Sequence, residues 1–172
     1  DPALVVEPLN AYRLKEQRPD NLGEFRVPLG IPEVLHRGTD ITMVSYGSTL
    51  NICKEVVEEL DDFNISVDLI DVRTLLPFDK ENVIIESLRK TNRIIFVDED
   101  MPGGTTAYMM QKILDERDGY FLLDSTPKAL SAQPHRPAYG SDGDYFSKPN
   151  YADIFEATYE IMHEADPAKY PA

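Results

Sequence analysis

From Thr39 onward, apolar residues fall into two alternating patterns. Residues 41–46, 67–72 and 93–98 are short runs that are nearly all apolar, with Ile94-Ile95-Phe96-Val97 the clearest. Between and after them, apolar side chains recur three or four positions apart. The first set is Leu50, Cys53, Val56, Val57 and Leu60, the second Val83, Ile84 and Leu88, the third Met109, Met110, Ile113 and Leu114. A three-to-four recurrence marks one face of a helix, and a short continuous run marks a strand covered on both sides.

Local signals set the boundaries. Gly47-Ser48-Thr49 ends the first strand, and a hydroxyl there is expected to cap the next helix. Asn64 stops that helix, and Asp79 caps the one over Val83, Ile84, Ser87 and Leu88. Gly103-Gly104 opens a third helix that ends near Gly119. A fourth strand is expected at 120–123 or around Ala129, and a last helix at 151–164, stopped by Pro167. Arg73, at the end of the second strand, is expected to pair with a carboxylate, since an unpaired guanidinium there is costly. Strands and helices in alternation predict an α/β fold, a mostly parallel sheet with helices on both faces and right-handed crossovers.

Two stretches lack either pattern. Residues 1–38 carry five prolines and one short apolar run, Leu4-Val5-Val6, and read as an extended arm that packs on something else, leaving 39–172 as the domain. Residues 133–150 combine Pro134, Pro137, Pro149, Gly140 and Gly143 with Tyr139, Tyr145 and Phe146, a long aromatic loop of the kind that meets a partner.

Charge narrows the function. With 31 acidic and 17 basic side chains the net charge is −14, which repels nucleic acid and anionic lipid and steers basic partners inward. No run approaches the ~20 apolar residues of a membrane helix. The lone Cys53 excludes an intrachain disulfide and reads as a buried, inert thiol. These features point to a cytoplasmic protein, and Asp1 in place of a methionine points to a fragment.

Candidate chemistry is sparse. Asp98-Glu99-Asp100 followed by Pro102-Gly103-Gly104-Thr105-Thr106 stands at the carboxyl end of a strand, where α/β sheets gather ligands. Two glycines entering a helix suit a phosphate, but three acids oppose it unless a divalent cation intervenes. A tight turn and dipole-stabilised acids explain the same residues as structure or subunit contact. His135, beside Arg136 in the long loop, is placed to meet an anionic group. Ser48 has no base near it in sequence, His163 suits a helix C-terminus, and no metal-ligand spacing occurs. No catalytic, cofactor-binding or metal residue is assigned; Asp98, Glu99, Asp100, Gly103, Gly104, His135 and Arg136 stand as interaction candidates.

Several blocks resemble a known family. Gly38-Thr39-Asp40-Ile41-Thr42-Met43-Val44-Ser45-Tyr46-Gly47, the stretch from Val67 through Asp71-Val72-Arg73-Thr74-Leu75-Leu76-Pro77-Phe78-Asp79, Lys90-Thr91-Asn92-Arg93, and Val97-Asp98-Glu99-Asp100 through Gly104 fall in the order and spacing of the transketolase C-terminal domain of 2-oxo acid dehydrogenase E1 components, β-type. Pro2 to Arg13 looks like the strand closing the preceding domain of such subunits, which makes the arm a connector. The resemblance implies a mixed five-stranded α/β/α unit. It implies a parent enzyme that decarboxylates a 2-oxo acid, pyruvate or a branched-chain acid, on thiamine diphosphate with Mg²⁺ held by other domains, none in this fragment, and passes the acyl group to lipoyl-E2. The implied partners are α-type E1 subunits, a second E1 copy in a dimer, and the subunit-binding domain of E2. The family's Gly-Asp-Gly and Asn signature for the cofactor is not matched, and Asp142-Gly143-Asp144 lacks its helix and Asn. The chain also departs from the family: Asp98-Glu99-Asp100 replaces His-Glu-Ala, and the loop 133–150 replaces a short Asp-x-Pro-x-Pro segment, which suggests a divergent branch, including one with α and β halves fused. A transketolase, a deoxyxylulose-phosphate synthase and a free-standing phosphate-binding domain are the alternatives.

Overall fold

The structure, a computed structural model, describes residues 2–15, 17–137, 139–140 and 143–171. Five strands form one sheet: β1 (Glu33–His36), β2 (Ile41–Ser45), β3 (Val67–Asp71), β4 (Ile94–Val97) and β5 (Lys128–Leu130). Helices α1 (Thr49–Asp62), α2 (Val83–Thr91), α3 (Thr105–Met110), α4 (Gly143–Ser147) and α5 (Tyr151–Ala165) connect and cover them, and α3 runs on into a π-helical turn at Gln111–Asp115. The strand order is β1-β3-β2-β4-β5, parallel throughout except for β1, which pairs antiparallel with β3.

Successive residues of a strand point to opposite faces, so an all-apolar strand feeds two cores. Ile41, Met43, Val67, Leu69, Ile95 and Val97 pack beneath α1 and α5. Val44, Ile70, Ile94 and Phe96 pack beneath α2, α3 and the π turn. The expected α/β/α layering is therefore present. At the amino ends of the strands, the buried Asp68 carboxylate accepts from Gly38 N–H (3.1 Å), Ser87 Oγ (2.5 Å) and Lys90 Nζ (2.8 Å), while the Thr42 hydroxyl bonds Ser87 and Thr91, each at 2.7 Å.

Several local expectations are corrected. The sheet begins at Glu33, inside the proline-rich stretch, because β1 is a short edge strand of alternating exposure pinned to β3 by the Arg73 ion pairs with Glu33 and Asp71. Of the two places expected for a fourth strand, the one around Ala129 holds it, at Lys128–Leu130; Gly119–Leu122 is a 3-10 turn with Tyr120 and Phe121 both exposed, which a half-buried strand would not allow. Ser48 takes helical dihedrals and makes no cap bond; instead the Thr49 hydroxyl donates to Tyr46 O at 3.0 Å. The loop 133–150 contains α4, and Ala138, Ser141 and Asp142 within it lie outside the described residues. Asp79 serves α2 as expected, accepting from Val83 N and Ile84 N at 2.8 and 3.2 Å.

The chain leaves β2 toward β3 through α1, then returns across the sheet through α2 to reach β4 on β2's other side. Strand order thus reverses between β2 and β4. A crevice opens at the carboxyl ends of such a pair.

Candidate functional site

The reversal point is built from two acids that leave β4 in different directions. Asp98 turns inward and is buried. Its Oδ1 accepts from Asp100 N–H at 2.8 Å and its Oδ2 from the Tyr46 hydroxyl at 3.2 Å, tying the exit of β4 to the exit of β2. Burial pushes the Asp98 carboxyl above its ordinary range, an effect these two bonds offset in part and the nearby Asp100 charge reinforces. Burial likewise pushes the Tyr46 phenol up to about 12, with the Asp98 charge adding to it.

Asp100 closes the next turn on itself. Its Oδ1 accepts from Met101 N–H (2.8 Å), and its Oδ2 accepts from the backbone and hydroxyl of Thr105 (3.2 and 3.3 Å) at the start of α3. Gly103 takes a φ of +86°, and a Cβ on Gly104 would stand 2.2 Å from Asp100 Oδ2. Both glycines are needed for the loop. The helix-start amide a phosphate would seek is already bonded to a carboxylate of the protein.

Glu99 points the other way, into a cleft of about 500 Å³. One wall is Gly47, Ser48, Thr49 and Ile52 from the start of α1; the opposite wall is Tyr145 and Lys148 from α4 and its end, with Tyr151 beyond. Lys148 Nζ lies 2.8 Å from Glu99 Oε2 and 3.7 Å from Asp144 Oδ1. Burial works against the Glu99 carboxylate, but the Lys148 ammonium and the Ser48 hydroxyl together outweigh it and hold Glu99 below its ordinary range. The same contact holds Lys148 above its own.

Of the sequence candidates, the structure joins Asp98, Glu99, Asp100, Gly103 and Gly104 in one loop, with only Glu99 lining the cleft. His135 and Arg136 stand apart on an exposed surface. The His135 ring nitrogen Nδ1 is 3.0 Å from Arg136 O, and the guanidinium of Arg136 sits 4.9 Å over the Tyr139 ring. Lys148 and Tyr46 were not singled out from sequence. Lys148 carried one usable signal, as the only lysine of an aromatic loop in an acidic chain.

The donor set does not suit thiamine diphosphate with Mg²⁺. Three carboxylates, Glu55, Glu99 and Asp144, face the cleft against one ammonium, a balance that repels a diphosphate. Among the described residues no three His, Cys, Asp or Glu side chains are grouped to hold a metal ion. Of Asp142-Gly143-Asp144, Asp142 lies outside the described residues. Cys53 is fully buried, and burial pushes its thiol up to about 12, so it is no nucleophile. What the arrangement provides is a braced crevice with an excess of negative charge. No helix is long and apolar enough to cross a membrane among the described residues.

Residues 30–145 match the family model described as transketolase, C-terminal domain. The subunit beta of acetoin:2,6-dichlorophenolindophenol oxidoreductase from Bacillus subtilis (strain 168) is 30% identical over 95% of this chain and 47% of its own length. The mitochondrial 2-oxoisovalerate dehydrogenase subunit beta of Chaetomium thermophilum is 39% identical over 73% of this chain and 27% of its own. The chain spans less than half the length of these relatives. Among solved structures, a split-gene transketolase described as an inactive beta4 tetramer superposes with a TM-score of 0.66 at 19% identity, covering 86% of this chain and 47% of that one, a likeness of fold.

Proposed function

Since the chain belongs to the transketolase C-terminal domain family, we propose that it is the C-terminal part of a β-type E1 component of a 2-oxo acid dehydrogenase complex. Its parent oxidatively decarboxylates a 2-oxo acid, pyruvate or a branched-chain acid, and transfers the acyl group to lipoyl-E2. Thiamine diphosphate and Mg²⁺ are held by other parts of the enzyme, and this part holds catalytic neighbours together. The observation that carries this reading is the alignment of β subunits of that class along most of the chain. The crevice chemistry agrees with it: Asp98, Asp100 and Glu99 are each bonded to groups of the protein.

In the same reading the arm, residues 1–38, connects to the preceding domain, and Leu4, Val5 and Val6, 77–90% exposed, are covered there. Partners are an α-type subunit, a second E1 copy and the subunit-binding domain of E2, which a surface of net charge −14 would attract if basic. Asp98, Asp100, Gly103 and Gly104 shape the loop next to that surface, and Glu99, His135 and Arg136 are on it. A cytoplasmic setting fits the single, buried, reduced Cys53.

A chimaera tests the proposal. Residues 30–172 replace the matching part of a 2-oxoisovalerate dehydrogenase β subunit, co-expressed with its α subunit. Assembly with 2-oxo acid-dependent turnover is expected; a folded chimaera that neither assembles nor turns over would refute the reading.

A further inference from the structure

The sheet has two edges, and the fold blunts only one of them. β1 follows Pro32 and shifts register between Val34 and His36, two devices that discourage further pairing. β5 stands at the other edge, paired to β4 on one side alone. Asp98 N–H donates to Leu130 O (3.1 Å) and Ala132 N–H to Asp100 O (2.8 Å), so residues 130 and 132 turn their backbone groups inward. Alternation along the strand turns those of Ala129 and Ser131 outward. Beyond them Gln133 N–H donates to Ser147 O at 2.8 Å, so the end of α4 already occupies the outer side at that level. Pro127 closes the other end. In the window between, Ala129 is exposed, and the Ser131 backbone groups have no backbone partner among the described residues.

The window opens onto a groove of about 370 Å³ between β5 and α5. α5 starts beside the Gln133 end and descends until Glu160 pairs with Lys128 and Glu164 accepts from the Thr126 hydroxyl. The groove is polarised as a result. Toward Gln133 its wall is Tyr145, Phe146 and Pro149, with the two rings exposed to solvent. Toward Lys128 its wall is Glu156 and Glu160. Glu156 is exposed and makes no ion pair among the described residues. Exposed aromatic rings beside free strand groups mark a surface suited to another chain.

We propose that the outer edge of β5 docks an extended segment of a partner protein, which adds as a further strand and places an apolar residue against Leu130 and Phe146 and a basic residue against Glu156. Residues two apart share one face of a strand, so the two side chains stand in an apolar-x-basic order. Backbone pairing supplies the affinity of such a contact, and the side chains supply its selectivity. Two glutamates against one lysine, on a chain of net charge −14, favour a basic segment over a second copy of this chain. None of the contacts proposed above uses this edge, and the chimaera can assemble with the edge empty.

The test titrates the whole chain with a short fluorescein-labelled peptide in which a leucine and a lysine stand two apart among threonines, read by fluorescence anisotropy and amide exchange. Saturable binding is expected, with exchange of the Ala129 and Ser131 amides fast in the free chain and slowed by about tenfold or more in the complex. The same peptide N-methylated along the edge that would face β5 keeps its side chains but cannot pair, and it should not bind. Ala129→Pro removes an outward N–H and leaves the ladder to β4 intact. Glu156→Lys reverses an exposed charge and leaves the fold unchanged. Each should weaken binding by about tenfold. A peptide that does not bind, an N-methylated one that binds as well, or a chain that dimerises through β5 and loses the dimer on Ala129→Pro would overturn the proposal.

Discussion

The two ends of the sheet are made of similar residues and behave differently. At the amino ends, Asp68, Thr42, Ser87, Thr91 and Gly38 N–H form a buried set in which the carboxylate has three donors, one of them Lys90 reaching in from the rim. At the carboxyl ends, Asp98 is enclosed in the same way, but Glu99, one residue on, stands in a cleft beside Lys148. A closed network fixes register and leaves nothing for a partner. An open one keeps its charge near the surface, where another chain can use it.

The contrast can be broken by substitution. Asp68→Ala should cost about 3 kcal/mol in urea unfolding, because it leaves buried donors unanswered; a loss under about 1 kcal/mol would mean the amino end is not the rigid one. Gly104→Ala should cost about 1–2 kcal/mol, since the new methyl displaces the Asp100 carboxylate from the start of α3. Lys148→Met should change stability by less than about 1 kcal/mol, as expected for a pair whose side chains are 34% and 44% exposed, and should let the Glu99 pKa rise.

Acidity sharpens the same comparison with a smaller effect. Asp98 has a folded pKa raised by burial, so the folded state holds its proton longer than the unfolded one. Stability therefore falls as pH rises from the ordinary aspartate range through the raised pKa, and is regained on acidification. Glu99 has a lowered folded pKa, so its contribution is present above the ordinary glutamate range and is lost as pH falls toward the lowered value. Asp98→Asn should remove the first slope and leave the second; a denaturation series from pH 7 to 3 that shows no change in the first slope would contradict the burial argument.

Much of the layered fold was legible because β2, β3 and β4 are buried on both faces and α1 and α5 repeat their apolar residues at helical spacing. β1 was not, since four residues of alternating exposure acquire their strand geometry only from β3 and the Arg73 pairs. β5 is three residues long and was separable from 120–123 only by the exposure of Tyr120 and Phe121. The acid-glycine loop was legible as a feature, while its meaning was not: only geometry shows that Asp98 faces inward, Asp100 caps and Glu99 faces out. The cleft had little local signal beyond the single lysine of the aromatic loop, because Lys148 and Glu99 are brought together only after the chain has passed through β5 and α4. Ser48 misled for a related reason, as Thr49 supplies the bond a capping hydroxyl was expected to give.

The claim at the centre is that this chain braces and presents, with the vitamin cofactor gripped elsewhere. Titrating the purified chain with thiamine diphosphate in the presence of Mg²⁺ in a calorimeter tests it most directly. The account predicts only heat of dilution; a saturable isotherm approaching one site per chain, abolished by removing Glu99 or Lys148, would contradict it.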